Sequence, residues 1–245
     1  MPLLALDRLT KRFGQLTIAD ELSVEIEEGA LVGIVGPNGA GKTTLFGMVS
    51  GDLRPDAGRV VFDGNVVTRL DPAARCRLGI GRTYQVPRPF GGMTVFENVL
   101  MAAQQGGRLR GRESRAVAVA VLERTHLAAA SNRSAEGLGL LQRKRLEVAR
   151  ALATRPRLLL LDEVAGGLTE PEVAELSGIV RSIQAEGVAV LWIEHVVRAL
   201  VDTASRLLCL SAGTFVADGT PRDVLADPAV QEVYLGTSLV AADLP

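Results

Sequence analysis

Cysteine is scarce: only Cys76 and Cys209 occur in 245 residues, far apart and outside any C-x-x-C pattern. That leaves no framework for disulfides or for a cysteine metal cluster. A surplus of positive charge is also missing, with 27 basic against 28 acidic residues and a net charge of -1. A nucleic-acid groove normally leaves a basic imbalance, so DNA or RNA is not an expected partner. No stretch approaches the roughly 20 apolar residues of a membrane-spanning helix. Apolar runs such as 158–161 and 188–193 have strand length. The opening Met-Pro-Leu-Leu-Ala-Leu-Asp turns acidic too soon for a signal peptide. Repeats and low-complexity tracts are absent as well. These absences predict a cytosolic chain of ordinary composition, long enough for one large α/β domain or one domain with an insertion.

What is present is periodicity. Leu22-Ser-Val-Glu-Ile-Glu27 alternates apolar and polar, so 22–27 is expected to be a strand, as is 3–8. Residues 30–35 form an apolar run suited to a buried parallel strand, followed by a helix over 42–50 that stops at Gly51. Asp63-Gly64 between apolar pairs signals a hairpin. Asp71-Pro72 opens one helix, and Thr94-Val-Phe-Glu97 has capping-box spacing and opens another. Residues 87–150 are expected to be mostly helical. After Arg155-Pro156 the alternation resumes, with strands over 157–161, 188–193 and 206–210 and helices over 171–185 and 196–204. Thr169-Glu-Pro-Glu172, Thr220-Pro221 and Asp227-Pro228 mark further helix starts.

Glycine is plentiful, at 26 residues, and its most informative cluster is Gly36-Pro37-Asn38-Gly39-Ala40-Gly41-Lys42-Thr43-Thr44. This matches G-x-x-x-x-G-K-[ST] between an expected strand and an expected helix, the context that confirms a phosphate-binding loop. Glycines remove the Cβ atoms that would keep phosphate oxygens from backbone N–H groups, and the helix adds its positive end. Lys42 would reach the β- and γ-phosphates, and Thr43 would ligate Mg²⁺. At the end of the four-leucine strand stand Asp162 and Glu163. Ligands gather at the carboxyl ends of parallel strands, which would put Asp162 beside the metal and Glu163 beside the γ-phosphate, able to polarise water. Gln85, just ahead of two close prolines, is expected at an exposed strand end, where its amide could reach the metal or the water. His195 follows the 188–193 strand on the same side, whereas His126 reads as a surface residue.

The ordered set Phe13-Gly14, 36–43, Gln85, Gln142 to Arg150, Asp162-Glu163 and His195 resembles the ATP-binding cassette (ABC) family over essentially the whole chain. Residues 79–85, 93–98, 145–150, 193–195 and the tail from Gly219-Thr-Pro221 to Tyr234-Leu-Gly236 are most similar to the ATPases of branched-chain amino acid, amide or urea importers. The resemblance implies one α/β domain over 1–245. Its P-loop core, from 1–86 and 151–245, would combine a mainly parallel sheet with an antiparallel β part, and 87–150 would form a helical subdomain. It further implies ATP and Mg²⁺ as ligands, with Phe13 stacking on adenine and Thr43, Gln85 and Asp162 at the metal. Glu163, His195 and Gln85 would act in hydrolysis. The implied partners are a second cassette, two transmembrane permease subunits and an extracytoplasmic solute-binding protein, which places the chain peripherally on the cytoplasmic face of the inner membrane.

Two departures stand out. The signature loop, which reaches the partner's γ-phosphate and usually reads Leu-Ser-Gly-Gly-Gln, is here Leu138-Gly139-Leu140-Leu141-Gln142. Val164 and Thr169 replace the usual proline and acidic or amide residue. Both changes weaken the half-site offered to the partner and leave the chain's own half-site intact. An asymmetric pair with a paralogous subunit is therefore expected. The alternatives are a catalytically weak regulatory partner and a soluble cassette acting on ribosomes or DNA.

Overall fold

Leucine at four successive positions, 158–161, suits a strand covered on both faces, and the structure covers both. The structure, a computed structural model, describes residues 1–235. Strands β3 (Leu31–Val35), β6 (Ile80–Arg82), β7 (Leu158–Asp162), β8 (Ala189–Ile193) and β9 (Arg206–Ser211) run parallel, with β10 (Thr214–Gly219) antiparallel on one edge. Across the sheet the order is β10-β9-β3-β8-β7-β6. A second, antiparallel sheet contains β1 (Leu4–Phe13), β2 (Leu16–Ile26), β4 (Ala57–Phe62) and β5 (Asn65–Val66), ordered β2-β1-β4-β5.

Helix α1 (Lys42–Ser50) lies between the two sheets and is buried all round after its first turn, with Leu45, Phe46, Met48 and Val49 fully buried. Strand alternation divides the core in two. Ile34, Leu158, Leu160, Leu191 and Leu208 face α1 and the antiparallel sheet. Leu159, Leu161, Val190, Trp192 and Leu207 face the helices on the other side. Those helices include α3 (Val95–Gln105), α4 (Gly111–Arg124), α5 (Leu140–Ala153), α6 (Glu170–Ala185) and α7 (Val197–Val201). The remaining helices are α2 (Pro72–Leu78), α8 (Pro221–Ala226) and α9 (Pro228–Leu235).

The cap signals hold in detail. Asp71 caps α2 by accepting the Ala74 N–H, and Thr94 and Thr169 close capping boxes with Glu97 and Glu172. The 63–64 turn is left-handed at both residues, as a tight hairpin requires. Other expectations needed extending. Strands β1 and β2 run on past residue 8 and begin before residue 22, because backbone pairing continues through polar, exposed positions around Gly14. Strand β10 carries no clear alternation and went unpredicted; the turn at Ala212 and Gly213, both at positive φ, folds it back on β9. Helix α5 continues unbroken to Ala153, so a boundary at 150/151 falls inside a helix. Helix α7 covers only part of 196–204. In the tail motif, Gly236 lies outside the described residues.

Candidate nucleotide site

The carboxyl ends of the parallel strands share one edge, and four of them deliver the predicted residues there. Strand β3 leads into residues 36–41, β7 into Glu163, β8 into His195, and β6 into the segment that carries Gln85. β3 sits between β8 and β9, so connections diverge at its end and open a crevice. A cavity of about 410 Å³ lies in that crevice. Phe13, Ile18, residues 38–44, Gln85, Glu163 and His195 line it.

The glycines of the loop are backbone requirements. Gly36 has φ 150, and a Cβ there would stand 2.0 Å from the Leu210 carbonyl oxygen. Gly41, with φ 104, would drive a Cβ to within 2.6 Å of the Ile18 carbonyl oxygen. Lys42 folds back over the loop, its Nζ donating to the carbonyls of Gly36 at 2.7 Å and Pro37 at 2.9 Å. Burial pulls its pKa down, against the opposing pull of Glu163 and Asp162. Thr43 is exposed on the first helical turn. Phe13 is half exposed, and the Lys11 ammonium lies 5.5 Å from its ring centroid.

Glu163 is the hub. Its carboxylate accepts from the Gln85 amide and lies 2.6 Å from His195 Nε2, so three residues distant in sequence meet in space. Glu163 has φ 49, a left-handed conformation unusual for a non-glycine residue and typical of functional turns. Asp162 sits behind it, almost fully buried, with one oxygen 3.2 Å from the Arg82 guanidinium. Its other oxygen, Oδ1, is buried without a protein partner. Burial raises the Asp162 pKa, with Arg82 opposing. The structure thus keeps Asp162 next to the site but outside the cavity lining, where Arg82 was not foreseen as its partner.

The loop 138–142 stands apart from this cavity. Gly139 precedes the first residue of α5 at φ -66 and ψ 169, with no side-chain cap. Leu138 is buried, Leu140 is exposed, and Leu141 is half-buried. Leu140 reaches across to the 164–169 loop, where a Cβ on Gly167 would meet its Cδ2 at 3.3 Å. His126 is exposed and pairs with Glu175. Two residues went unmarked in the sequence, Lys144 and Glu194. Lys144 donates to the carbonyls of Gln85 and Glu163, each at 3.0 Å, and Glu194 accepts the Ala165 N–H at 2.6 Å. The only available signal for Lys144 was the three-residue step to Glu147, repeated from Glu147 to Arg150.

Residues 19–166 match the family model described as ABC transporter, more than half of the chain. The chain belongs to the ABC transporter ATPase family. A second match, to the model described as branched-chain amino acid ATP-binding cassette transporter, covers residues 216–239. Among curated relatives, the high-affinity branched-chain amino acid transport ATP-binding protein BraF of Pseudomonas aeruginosa is 36% identical over 250 residues, covering 96% of this chain and 98% of BraF. The lipopolysaccharide export system ATP-binding protein LptB of Escherichia coli is 33% identical over 236 residues, covering 96% and 98%. The crystal structure of the ADP conformation of an ATP-binding cassette from an ABC transporter superposes with a TM-score of 0.89. It is 31% identical and covers 96% of this chain and 99% of that one. This ABC ATPase therefore binds and hydrolyses ATP. One solved cassette of like fold, cbiO1 of Clostridium perfringens, 25% identical with a TM-score of 0.84, is part of the ABC transporter complex cbiONQ. No helix among the described residues of this chain is long and apolar enough to cross a membrane.

Proposed function

We propose that this ATPase powers the import of a small polar solute, of the branched-chain amino acid class, through two separate permease subunits fed by an extracytoplasmic solute-binding protein. The observation that carries the reading is the match of residues 216–239 to the branched-chain amino acid cassette model, which lies outside the ATP-hydrolysing core motifs. The ATPase would then sit peripherally on the cytoplasmic face of the inner membrane. A second reading, lipopolysaccharide export, draws on the comparable identity to LptB. Cells carrying Glu163→Gln in this chain should lose uptake of labelled leucine, isoleucine and valine. Normal uptake together with a defective outer membrane would favour export instead.

In hydrolysis, Glu163 is the residue that orients and polarises the attacking water. Its contact with His195 holds that ring at the cavity mouth, where it can donate to the γ-phosphate. Gln85, bonded to the same carboxylate, senses whether the site is filled and carries that state to the segment after it. Lys42 exchanges its bonds to the loop carbonyls for the β- and γ-phosphate oxygens, and Phe13 stacks on adenine. Mg²⁺ suits the donors available here, which are hard oxygens. Asp162 Oδ1 is a buried acceptor still without a partner, and the Thr43 hydroxyl and Gln85 amide oxygen would complete the protein's share. When bound, the metal would neutralise charge building on the phosphates.

The second cassette of the dimer is, on this reading, a different chain. Leu140 and Leu141 occupy positions where close approach to the partner's phosphate calls for glycine, and Gly139 lacks the hydroxyl that would donate to it. This subunit would hydrolyse ATP with the partner's signature loop while returning a weaker one. Retention of Glu163 and His195 in contact disfavours a purely regulatory role.

A further inference from the structure

Helix α5 starts at the 138–142 loop and grips the segment after Gln85 with one face. Lys144 Nζ donates to the Gln85 carbonyl at 3.0 Å. Three residues on, Glu147 Oε1 accepts the Arg88 N–H at 2.7 Å. Arg150, three further, donates to the Arg88 carbonyl at 2.7 Å and lies 4.6 Å over the Phe90 ring. Residues three apart share a helical face, so the three side chains act as one row of clamps on 85–90.

Lys144 differs from the other two clamps because it also holds the Glu163 carbonyl at 3.0 Å. It is 4% exposed, and without its ammonium the Gln85 carbonyl would lose its protein donor while the Glu163 carbonyl would keep only the longer bond, 3.4 Å, from the Gly166 N–H. The turn it holds is conformationally unusual, with Glu163 at φ 49, and such a backbone persists only when its surroundings fix it. Glu194 fixes the far side of that turn through the Ala165 N–H, and Ile193 accepts the Glu163 N–H at 2.9 Å. Lys144 is the member of this set that belongs to the signature helix.

We infer that Lys144 is a positioning residue for ATP hydrolysis, joining α5 to both Gln85 and Glu163. A displacement of α5 caused by what its signature end touches is thereby passed to the two side chains at once. The inference rests on the reading of Gln85 and Glu163 as residues of the hydrolytic site.

The test compares Lys144→Met, which keeps an unbranched stem, with Lys144→Arg, which keeps charge and donors, in the full chain. MgATP affinity, kcat, KM and backbone amide exchange are measured for each. Lys144→Met should lower kcat by about tenfold or more while affinity stays within about twofold. Exchange should accelerate in residues 84–90 and stay unchanged in 36–44, and arginine should restore most of kcat. Unaltered kcat and unaltered exchange in 84–90 would overturn the inference. So would parallel losses of affinity, thermal stability and 36–44 protection, which mark a merely structural role. Glu163→Gln, measured alongside, separates the two readings. Normal turnover in Glu163→Gln defeats the underlying assignment, whereas a normal Lys144→Met beside an inactive Glu163→Gln defeats the coupling alone.

Discussion

Two helix starts in this protein follow a glycine, and they answer to different neighbours. Before α1, Gly36, Gly39 and Gly41 all lie at positive φ, and Gly36 presses so close to the Leu210 carbonyl that no side chain fits. Before α5, Gly139 has an ordinary φ, and a Cβ there would meet nothing within 4 Å. The first loop is fixed by its own fold, since changing it disturbs the chain that carries it. At the second, Gly139 meets no such constraint, although Leu138 beside it is buried and Leu140 touches the 164–169 loop. A change at 139 should therefore leave the fold and the phosphate loop undisturbed.

The sharpest separation of the two loops should come from Glu163→Gln. On the proposed role of Glu163 in orienting water, its loss should slow hydrolysis by about a thousandfold while ATP still binds. The mass of this variant in solution then interrogates the other loop. A dimer formed only with MgATP would show that 138–142 works despite its leucines, breaking the contrast. A monomer with ATP bound would direct the search to a paralogous subunit.

Backbone necessity predicts the next largest effect. Gly36→Ala should destabilise the fold by at least about 3 kcal/mol in urea unfolding, because strain at positive φ adds to the clash with Leu210. A smaller loss would break the claim that the first loop is held by its own geometry.

The loop after Glu163, which Leu140 touches, is anchored by Glu194. Burial pushes the Glu194 carboxyl up to about 7 from an ordinary 4.5. Neighbouring Glu163 raises it further, and the Ala165 N–H, the Trp192 indole and Lys144 oppose the shift. The native protein thus holds this proton after the unfolded chain has lost it. Stability contributed by the group is present below about pH 4.5 and declines as pH rises to about 7, where it levels off. Glu194→Gln lacks that slope. Its stability relative to the parent should improve by about 3 kcal/mol across this window, read from urea unfolding at several pH values. A flat difference would remove Glu194 as a buried acid.

The weakest effects belong to 138–142 itself. Gly139→Ser, Leu140→Gly and Leu141→Gly together should raise basal ATPase activity about threefold, by restoring close approach to a partner's phosphate. No increase would mean that the leucines are not what limits turnover. Gly139→Ala alone should shift stability by no more than about 0.5 kcal/mol. That is the counterpart of Gly36→Ala and the cleanest check that the two glycines differ in kind.

Much of this site was legible in order of sequence. The G-x-x-x-x-G-K-T loop, the Asp162-Glu163 pair and the helix starts at Thr94 and Thr169 are local patterns. The chemistry that creates them, turn conformation and capping, acts within a few residues. Strand β10 and the full reach of β1 and β2 were not legible, because pairing with a neighbouring strand can hold polar, exposed residues that carry no alternation of their own. Lys144 and Arg82 were hidden for a related reason. Each is a basic side chain whose partner lies far along the chain, Gln85 being 59 residues from Lys144 and Asp162 being 80 from Arg82.

By itself the sequence determined that this is an ABC-type cassette with an intact phosphate loop and an altered signature loop, since both loops are written in contiguous residues. The tertiary structure alone decided that Glu163 holds Gln85 and His195 together, that Arg82 backs Asp162, and that Lys144 ties α5 to Gln85 and Glu163. Those relations depend on the order of strands across the sheet. That order is set by which apolar faces pack together, and no local stretch of chain records it.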